Sequence, residues 1–322
     1  YYALKIAFRH VPFSAEQKAA LNALAAQGGY EPVWCEDGSV PTADALSDCE
    51  VLMGYFPPDL IRALPALKWV QTPSAGVERL CTDIYANADA VLTNCSGAFG
   101  VAISEYMLTG LLMLMRNMPA YMQNQRTHTW KCTGCCRSVF GSRITVVGMG
   151  DIGSKFAARA KALGAYVRGV RRTAGAVPEN FDEVYTSDRL SEAVQGVDAV
   201  VMCLPGTKAT TGIVSKAVID AMGANTIVVN CGRGFTVDQS ALITALQEKR
   251  IAGAVLDVFE TEPLDAASPL WDMENVIITP HISGHDDDPI NVASIYSIFQ
   301  DNLTRWINHQ PLTHIIDRSR GY

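Results

Sequence analysis

The sequence offers its clearest chemistry at Gly148-Met149-Gly150-Asp151-Ile152-Gly153, a Gly-x-Gly-x-x-Gly turn set between the apolar run Arg143-Ile144-Thr145-Val146-Val147 and an amphipathic stretch. At such a strand-to-helix turn the first glycine allows the tight bend and the second lets backbone approach a pyrophosphate. The third packs helix against strand, and the helix N-terminus faces the phosphates. That is a dinucleotide site, although some flavin and methyl-donor proteins use similar turns. About 20 residues further on, where an acidic side chain would take the ribose hydroxyls of NAD, the chain reads Val170-Arg171-Arg172-Thr173. Two guanidinium groups and a hydroxyl suit a ribose 2′-phosphate, whose charge an acid would repel. The expected cofactor is NADP in preference to NAD; the plainer alternative is a solvated basic loop.

Two other clusters suggest metals and are read otherwise. His128, Cys132, Cys135 and Cys136 are zinc-ligand types close together, but neighbouring cysteines crowd one ion and no second separated pair closes a tetrahedron. A thiol-rich loop is expected. Asp286-Asp287-Asp288-Pro289 precedes a predicted helix, where acids complement the N-terminal dipole. No metal is assigned at either place.

Elements able to position these residues recur along the chain. Short β-branched runs alternate with amphipathic stretches, the pattern of parallel strands joined by crossover helices. Ser14 and Gln17 form a capping box ahead of an alanine-rich helix that stops at Gly28-Gly29. Strands are predicted at 4–8, 50–54, 67–72 and 90–93, then a single apolar helix over 103–121. Six strands follow at 143–147, 166–170, 199–204, 226–230, 252–258 and 276–279, and a last helix over 291–309. The prediction is an α/β protein of two Rossmann-like doubly wound parallel-sheet domains with the active site in the cleft between them. The first is discontinuous, residues 1–98 plus 285–322, and binds substrate; the second, 99–284, binds the dinucleotide.

Bulk properties narrow the function classes. The 322 residues, 48% of them hydrophobic, can bury the cores of two domains, and the formal charge of −7 provides no basic field for nucleic acid. The longest apolar run, residues 107–115, is too short for the roughly 20 residues that span a bilayer. Nine cysteines, an odd number spread over a long chain, do not form a disulfide framework, and the chain opens without a basic, apolar leader. A cytoplasmic location is expected.

The second half carries a series of motifs in order: Asn230-Cys231-Gly232-Arg233-Gly234, Val237-Asp238, Gly253 to Phe259 with Glu262-Pro263-Leu264, Asn275-Val276, and Thr279-Pro280-His281. Together with Leu204-Pro205 and Thr210, Ser104-Glu105-Tyr106, Ser74-Ala75-Gly76-Val77 and Gly321-Tyr322, the series resembles the D-isomer-specific 2-hydroxyacid dehydrogenase family, in its glyoxylate/hydroxypyruvate reductase-like, NADP-preferring branch. The resemblance covers essentially the whole chain.

It implies hydride transfer between a nicotinamide cofactor and a small 2-keto or 2-hydroxy acid, and each role suits its residue type. His281 exchanges a proton with the substrate oxygen near neutral pH. Glu262 fixes the imidazole and favours its charged form. Arg233 spans carboxylate and carbonyl oxygen with a planar fork that lysine lacks. The resemblance further places backbone of Ser74, Ala75 and Gly76 on the substrate carboxylate and Tyr55 at the pocket wall. Met149, Asp151, Ile152, Leu204, Pro205, Thr210, Cys231, Gly232, Asp257, Ser283 and Gly284 join the cofactor contacts. A homodimer is implied, with Trp130 near the neighbouring site. Phosphoglycerate dehydrogenase is disfavoured by the arginine pair and by the absence of a further C-terminal domain, and formate dehydrogenase by Glu262, where that enzyme has glutamine. A dinucleotide-sensing corepressor of the same fold is the alternative from another class.

Overall fold

The computed structural model describes residues 4–35, 40–285 and 287–321, so Asp286 and Tyr322 lie outside the described residues. The chain divides into two compact units, Tyr1–Phe99 with His285–Tyr322, and Gly100–Gly284. Each is an α/β unit built on one parallel sheet.

In the first unit the chain runs β1 (Leu4–Arg9), α1 (Ala15–Gln27), β2 (Tyr30–Cys35), β3 (Cys49–Gly54), α2 (Pro58–Arg62), β4 (Trp69–Gln71) and β5 (Val91–Thr93). The strands lie in the order β2-β1-β3-β4-β5, and every pair is parallel. A parallel sheet is covered on both faces, so its inner strands read as unbroken apolar runs; all six residues of β3 are buried. The capping box at α1 forms as expected: Gln17 N–H donates to Ser14 Oγ (3.2 Å), and Ser14 N–H to Gln17 Oε1 (2.9 Å).

The second unit contains α3 (Gly100–Met115), α4 (Met118–Arg126), β6 (Arg143–Val147), α5 (Asp151–Ala162), β7 (Tyr166–Arg171), β8 (Glu183–Thr186), α6 (Leu190–Ala193), β9 (Ala199–Met202), α7 (Lys216–Asp220), β10 (Ile227–Asn230), α8 (Gln239–Gln247), β11 (Gly253–Leu256) and β12 (Val276–Ile278). Its sheet has the order β12-β11-β10-β9-β6-β7-β8, all parallel. From β6 the chain winds outward through β7 and β8, then returns to build the other half from β9. The reversal at β6 and β9 is the switch point where doubly wound sheets bind dinucleotides. The last helix, α9 (Pro289–Ile307), belongs to the first unit, and the tail behind it bridges Ile315 to Thr93 at the end of β5.

The structure corrects the sequence reading in three places. The single helix predicted over 103–121 is two helices, because Asn117 adopts a left-handed backbone (φ +54°) and Pro119 stands in the first turn of α4. A proline there has no N–H for the helical ladder and clashes with the carbonyl four residues back. The second sheet has seven strands, β8 having been missed, and β2 was missed in the first. No helix among the described residues is long and apolar enough to cross a membrane.

Candidate active site

The glycine turn after β6 is held by contacts that only glycine permits. Gly148 has φ +104°, its N–H donates to Val170 O at 2.9 Å, and a Cβ there would lie 2.7 Å from Cys203 O. A Cβ on Gly153 would lie 2.0 Å from Gly148 O, so this residue sets how closely α5 meets the strand end. A Cβ on Gly150 would meet nothing within 4 Å, and α5 has no side-chain cap at its start. The first N–H groups of α5 therefore face an open side of the turn, an arrangement that fits a pyrophosphate. Within it Asp151 pairs with Lys155.

At the end of β7 the two arginines differ. Arg171 donates from Nη2 to Ala176 O (2.9 Å), and its guanidinium lies where a Cβ on Gly175 would come within 2.5 Å, so it braces the loop beyond the strand. Arg172 and Thr173 are exposed on that loop. The loop after β9 is tied by Thr210, which donates to Pro205 O (2.7 Å) and accepts from Thr207 N–H (2.9 Å). It lies against the loop after β10, since a Cβ on Gly232 would sit 2.8 Å from Leu204 O.

Arg233 follows β10 in a turn clamped by Asn230, whose Oδ1 accepts from Gly232 N–H (3.1 Å) and whose Nδ2 donates to Arg233 O (3.2 Å). The guanidinium donates to Gly232 O at 2.9 Å. The next residue, Gly234, touches the loop after β11, because a Cβ on it would fall 1.9 Å from the Phe259 carbonyl. Phe259 N–H donates to Glu262 Oε1 (3.0 Å), while Glu262 Oε2 meets His281 Nδ1 at 2.7 Å. An unbroken line of contacts thus joins the Arg233 turn to Glu262 and His281. The imidazole is 49% exposed and the carboxylate 35%, accessible enough to meet a small molecule. His281 itself has φ +55°, a left-handed backbone that L-residues other than glycine adopt at a cost.

Residues 108–283 match the family described as "D-isomer specific 2-hydroxyacid dehydrogenase, NAD binding domain". The (S)-sulfolactate dehydrogenase of Chromohalobacter salexigens is 31% identical over 229 residues, which cover 70% of this chain and 74% of that one. The chain belongs to the D-isomer-specific 2-hydroxyacid dehydrogenase family. A D-3-phosphoglycerate dehydrogenase of Mycobacterium tuberculosis is 32% identical over 284 residues, covering 82% of this chain but 51% of that longer protein. The solved NADPH-dependent glyoxylate/hydroxypyruvate reductase of Sinorhizobium meliloti, in complex with NADP and sulfate, superposes with a TM-score of 0.83 at 27% identity, covering 99% of this chain and 100% of the other. The protein is accordingly an NAD(P)-dependent oxidoreductase with 2-hydroxyacid dehydrogenase or reductase activity.

Other residues named from sequence occupy definite places in this dehydrogenase. Asp257 is fully buried below the His281 loop, and its carboxylate accepts from Thr279 Oγ1 (2.6 Å), Ile282 N–H (2.8 Å) and Ser283 N–H (2.9 Å). Cys231 is buried nearby, and burial pushes its thiol well up from the usual range. Gly284 ends the same loop. In the first unit, residues 74–76 follow β4 and have their carbonyls bound internally: Ser74 O by Cys95 N–H (3.0 Å), Ala75 O by Asn94 Nδ2 (2.7 Å) and Gly76 O by Ser74 Oγ (2.8 Å). Tyr55 follows β3, its carbonyl accepting from Arg9 Nη1 (2.6 Å).

The thiol loop is held to α4 and its lead-in. Asn117 Nδ2 donates to Thr133 O (3.2 Å) and Cys135 O (3.0 Å), and Cys132, Cys135 and Cys136 are exposed. No three His, Cys, Asp or Glu side chains are grouped as metal ligands among the described residues. Asp288 caps α9, accepting from Ile290 N–H at 2.9 Å. Sequence reasoning did not single out Asn230, Thr279 or Tyr106 as site residues. Their signal is weak, since Asn, Thr and Tyr are common at strand ends and on half-buried helix faces; only the hydrogen bonds distinguish them.

Proposed function

We propose that this enzyme reduces a small 2-keto acid to its D-2-hydroxy acid, and runs the reverse, with NADPH preferred over NADH. The observation that carries the reading is the 2.7 Å contact of His281 Nδ1 with Glu262, tied through Phe259 and Gly234 to the Arg233 turn. With Nδ1 turned to a carboxylate, Nε2 is the nitrogen left to give a proton to the carbonyl oxygen in reduction and to take it back in oxidation. Glu262 holds the ring orientation and favours the imidazolium. Arg233 engages the substrate carboxylate and the carbonyl oxygen, stabilising negative charge as it develops. A bound nicotinamide supplies or accepts the hydride. In the first unit the N–H groups of residues 74–76 are assigned to the carboxylate, with Tyr55 beside it.

The cofactor is assigned to the glycine turn, to Leu204, Pro205 and Thr210, and to Cys231, Gly232, Asp257, Ser283 and Gly284. Arg171, Arg172 and Thr173 at the end of β7 support the NADP preference. A homodimer is assigned because Met118, Met122, Trp130 and Phe140 expose apolar surface in one stretch of chain. The cytoplasm suits nine cysteines that form no disulfide among the described residues.

A panel of glyoxylate, hydroxypyruvate, bulkier 2-keto acids and, in the reverse direction, 3-phosphoglycerate, followed by nicotinamide absorbance with both cofactors, tests the reading. Turnover of a keto acid with NADPH ahead of NADH is expected. Oxidation of 3-phosphoglycerate with NAD would reassign the substrate, and binding of cofactor without any turnover would favour a sensing role.

A further inference from the structure

His281 has a left-handed backbone (φ +55°), and the loop that carries it is tied down from one side. The tie comes from Asp257, the first residue after β11. Its backbone carbonyl accepts from His281 N–H at 2.9 Å, and its carboxylate accepts from the next two amides, Ile282 and Ser283. A carboxylate with zero exposure needs its acceptor sites filled, and the third donor is the Thr279 hydroxyl at 2.6 Å. That hydroxyl is also in hydrogen-bond contact with the Tyr106 hydroxyl from α3. The direction of the chain follows from valence. Thr279 has one hydroxyl proton and a carboxylate can only accept, so Thr279 donates to Asp257 and Tyr106 donates to Thr279. Burial pushes the Tyr106 phenol up from its usual range, which keeps it a donor at every working pH.

We propose that Tyr106 and Thr279 are positioning residues that act through Asp257 to hold the His281 loop in its proton-transfer geometry. The proposal rests on His281 being the acid–base group. It assigns to Thr279 a job beyond strand packing, and to Tyr106 a link from a helix on the sheet face to the reacting end of the sheet. Neither side chain is placed on substrate or cofactor. Arg233 stands on a different strand end and outside the relay, so substrate capture should survive when the relay is cut, while the rate of proton transfer should not.

The test compares Thr279→Val, Thr279→Ser and Tyr106→Phe in the full enzyme. Thr279→Val keeps the shape and removes the donor, and a lowering of kcat by about ten- to a hundred-fold with KM for the keto acid changed less than about three-fold is expected. Thr279→Ser restores the hydroxyl and should return kcat to within about three-fold of wild type, and Tyr106→Phe should lower it about three- to ten-fold. Independently of turnover, amide hydrogen exchange at Ile282 and Ser283 should accelerate at least about ten-fold in Thr279→Val. Unchanged kcat, a KM effect alone, failure of serine to rescue, or unchanged exchange would each overturn the relay. If Thr279→Val does not fold, Tyr106→Phe carries the same measurements. Should the wild-type protein reduce no keto acid, the acid–base reading fails by itself, and the exchange rates still decide whether Thr279 and Tyr106 hold the loop.

Discussion

The proposed function divides one chemical task among His281, Glu262 and Arg233, and each can be removed separately. His281→Ala takes away the proposed proton donor but no group assigned to the cofactor phosphates. It should lower kcat by about 10²- to 10⁴-fold while NADPH affinity, read by fluorescence titration, stays within a few-fold; near-normal turnover would remove His281 from the mechanism. Arg233→Lys keeps the charge and loses the fork, so kcat/KM should fall about 10²-fold in steady-state assays. At the other end of the site, Arg172 is exposed on a loop that Arg171 braces. Arg172→Ala should weaken NADPH about ten-fold or more and leave NADH nearly unchanged, whereas the double change at Arg171 and Arg172 should weaken NADPH further. Equal losses for both cofactors would contradict a 2′-phosphate contact. These residues could be read from sequence because their types announce charge and proton chemistry and their order matches a family. Thr279 and Tyr106 stand in the motif series that carries the resemblance, but their roles could not be read from it, because a hydroxyl's role lies in what it touches, and those partners come from 22 and 173 positions away along the chain.

Among the elements, the glycine turn is where sequence and structure agree most closely. Glycine spacing is itself a steric statement: a Cβ at position 153 would overlap the Gly148 carbonyl. Gly153→Val should therefore push α5 off the strand end, costing roughly 1–3 kcal/mol or more. Expected results are a lower melting temperature in calorimetry and loss of cofactor protection against unfolding; full NADPH binding would show that the turn tolerates the shift. The strands that escaped the sequence reading did so for physical reasons. β2 contains Pro32, which breaks the strand pattern, and it stands at the sheet edge where a missing N–H is tolerated. β8 has four residues, all only partly buried, at the opposite edge of the other sheet. The other two edge strands, β5 and β12, were read, so edge position alone does not hide a strand; the proline of β2 and the short, half-buried pattern of β8 do. The inner strands, buried on both faces, were evident throughout. The break between α3 and α4 was hidden because apolar periodicity continues across it, and only Pro119 and the left-handed Asn117 mark the boundary.

For the whole molecule, net charge and apolar surface act on assembly in opposite directions. A formal charge of −7 on each copy opposes association, yet the chain exposes Met118 at 42%, Met122 at 44%, Trp130 at 105% and Phe140 at 80%. Met118 and Met122 are four apart on α4 and so share one helix face. An isologous dimer would bury that face against its own copy, and apolar burial there contributes about 25 cal/mol per Å² before the cost of association. Sedimentation should then give about twice the 34.8 kDa of one chain. Met122→Glu sets like charges against each other across a two-fold interface and should shift the species to the single-chain mass. The groups assigned to the dinucleotide all lie in one chain, so the separated protein should still bind NADPH. Unaltered dimer mass would move the interface elsewhere, and a monomeric wild type would leave α4 without its assigned partner. Labelling of Cys132, Cys135 and Cys136 reads the same equilibrium, since thiols on this stretch should react faster with a bulky alkylating reagent in Met122→Glu than in the wild-type dimer.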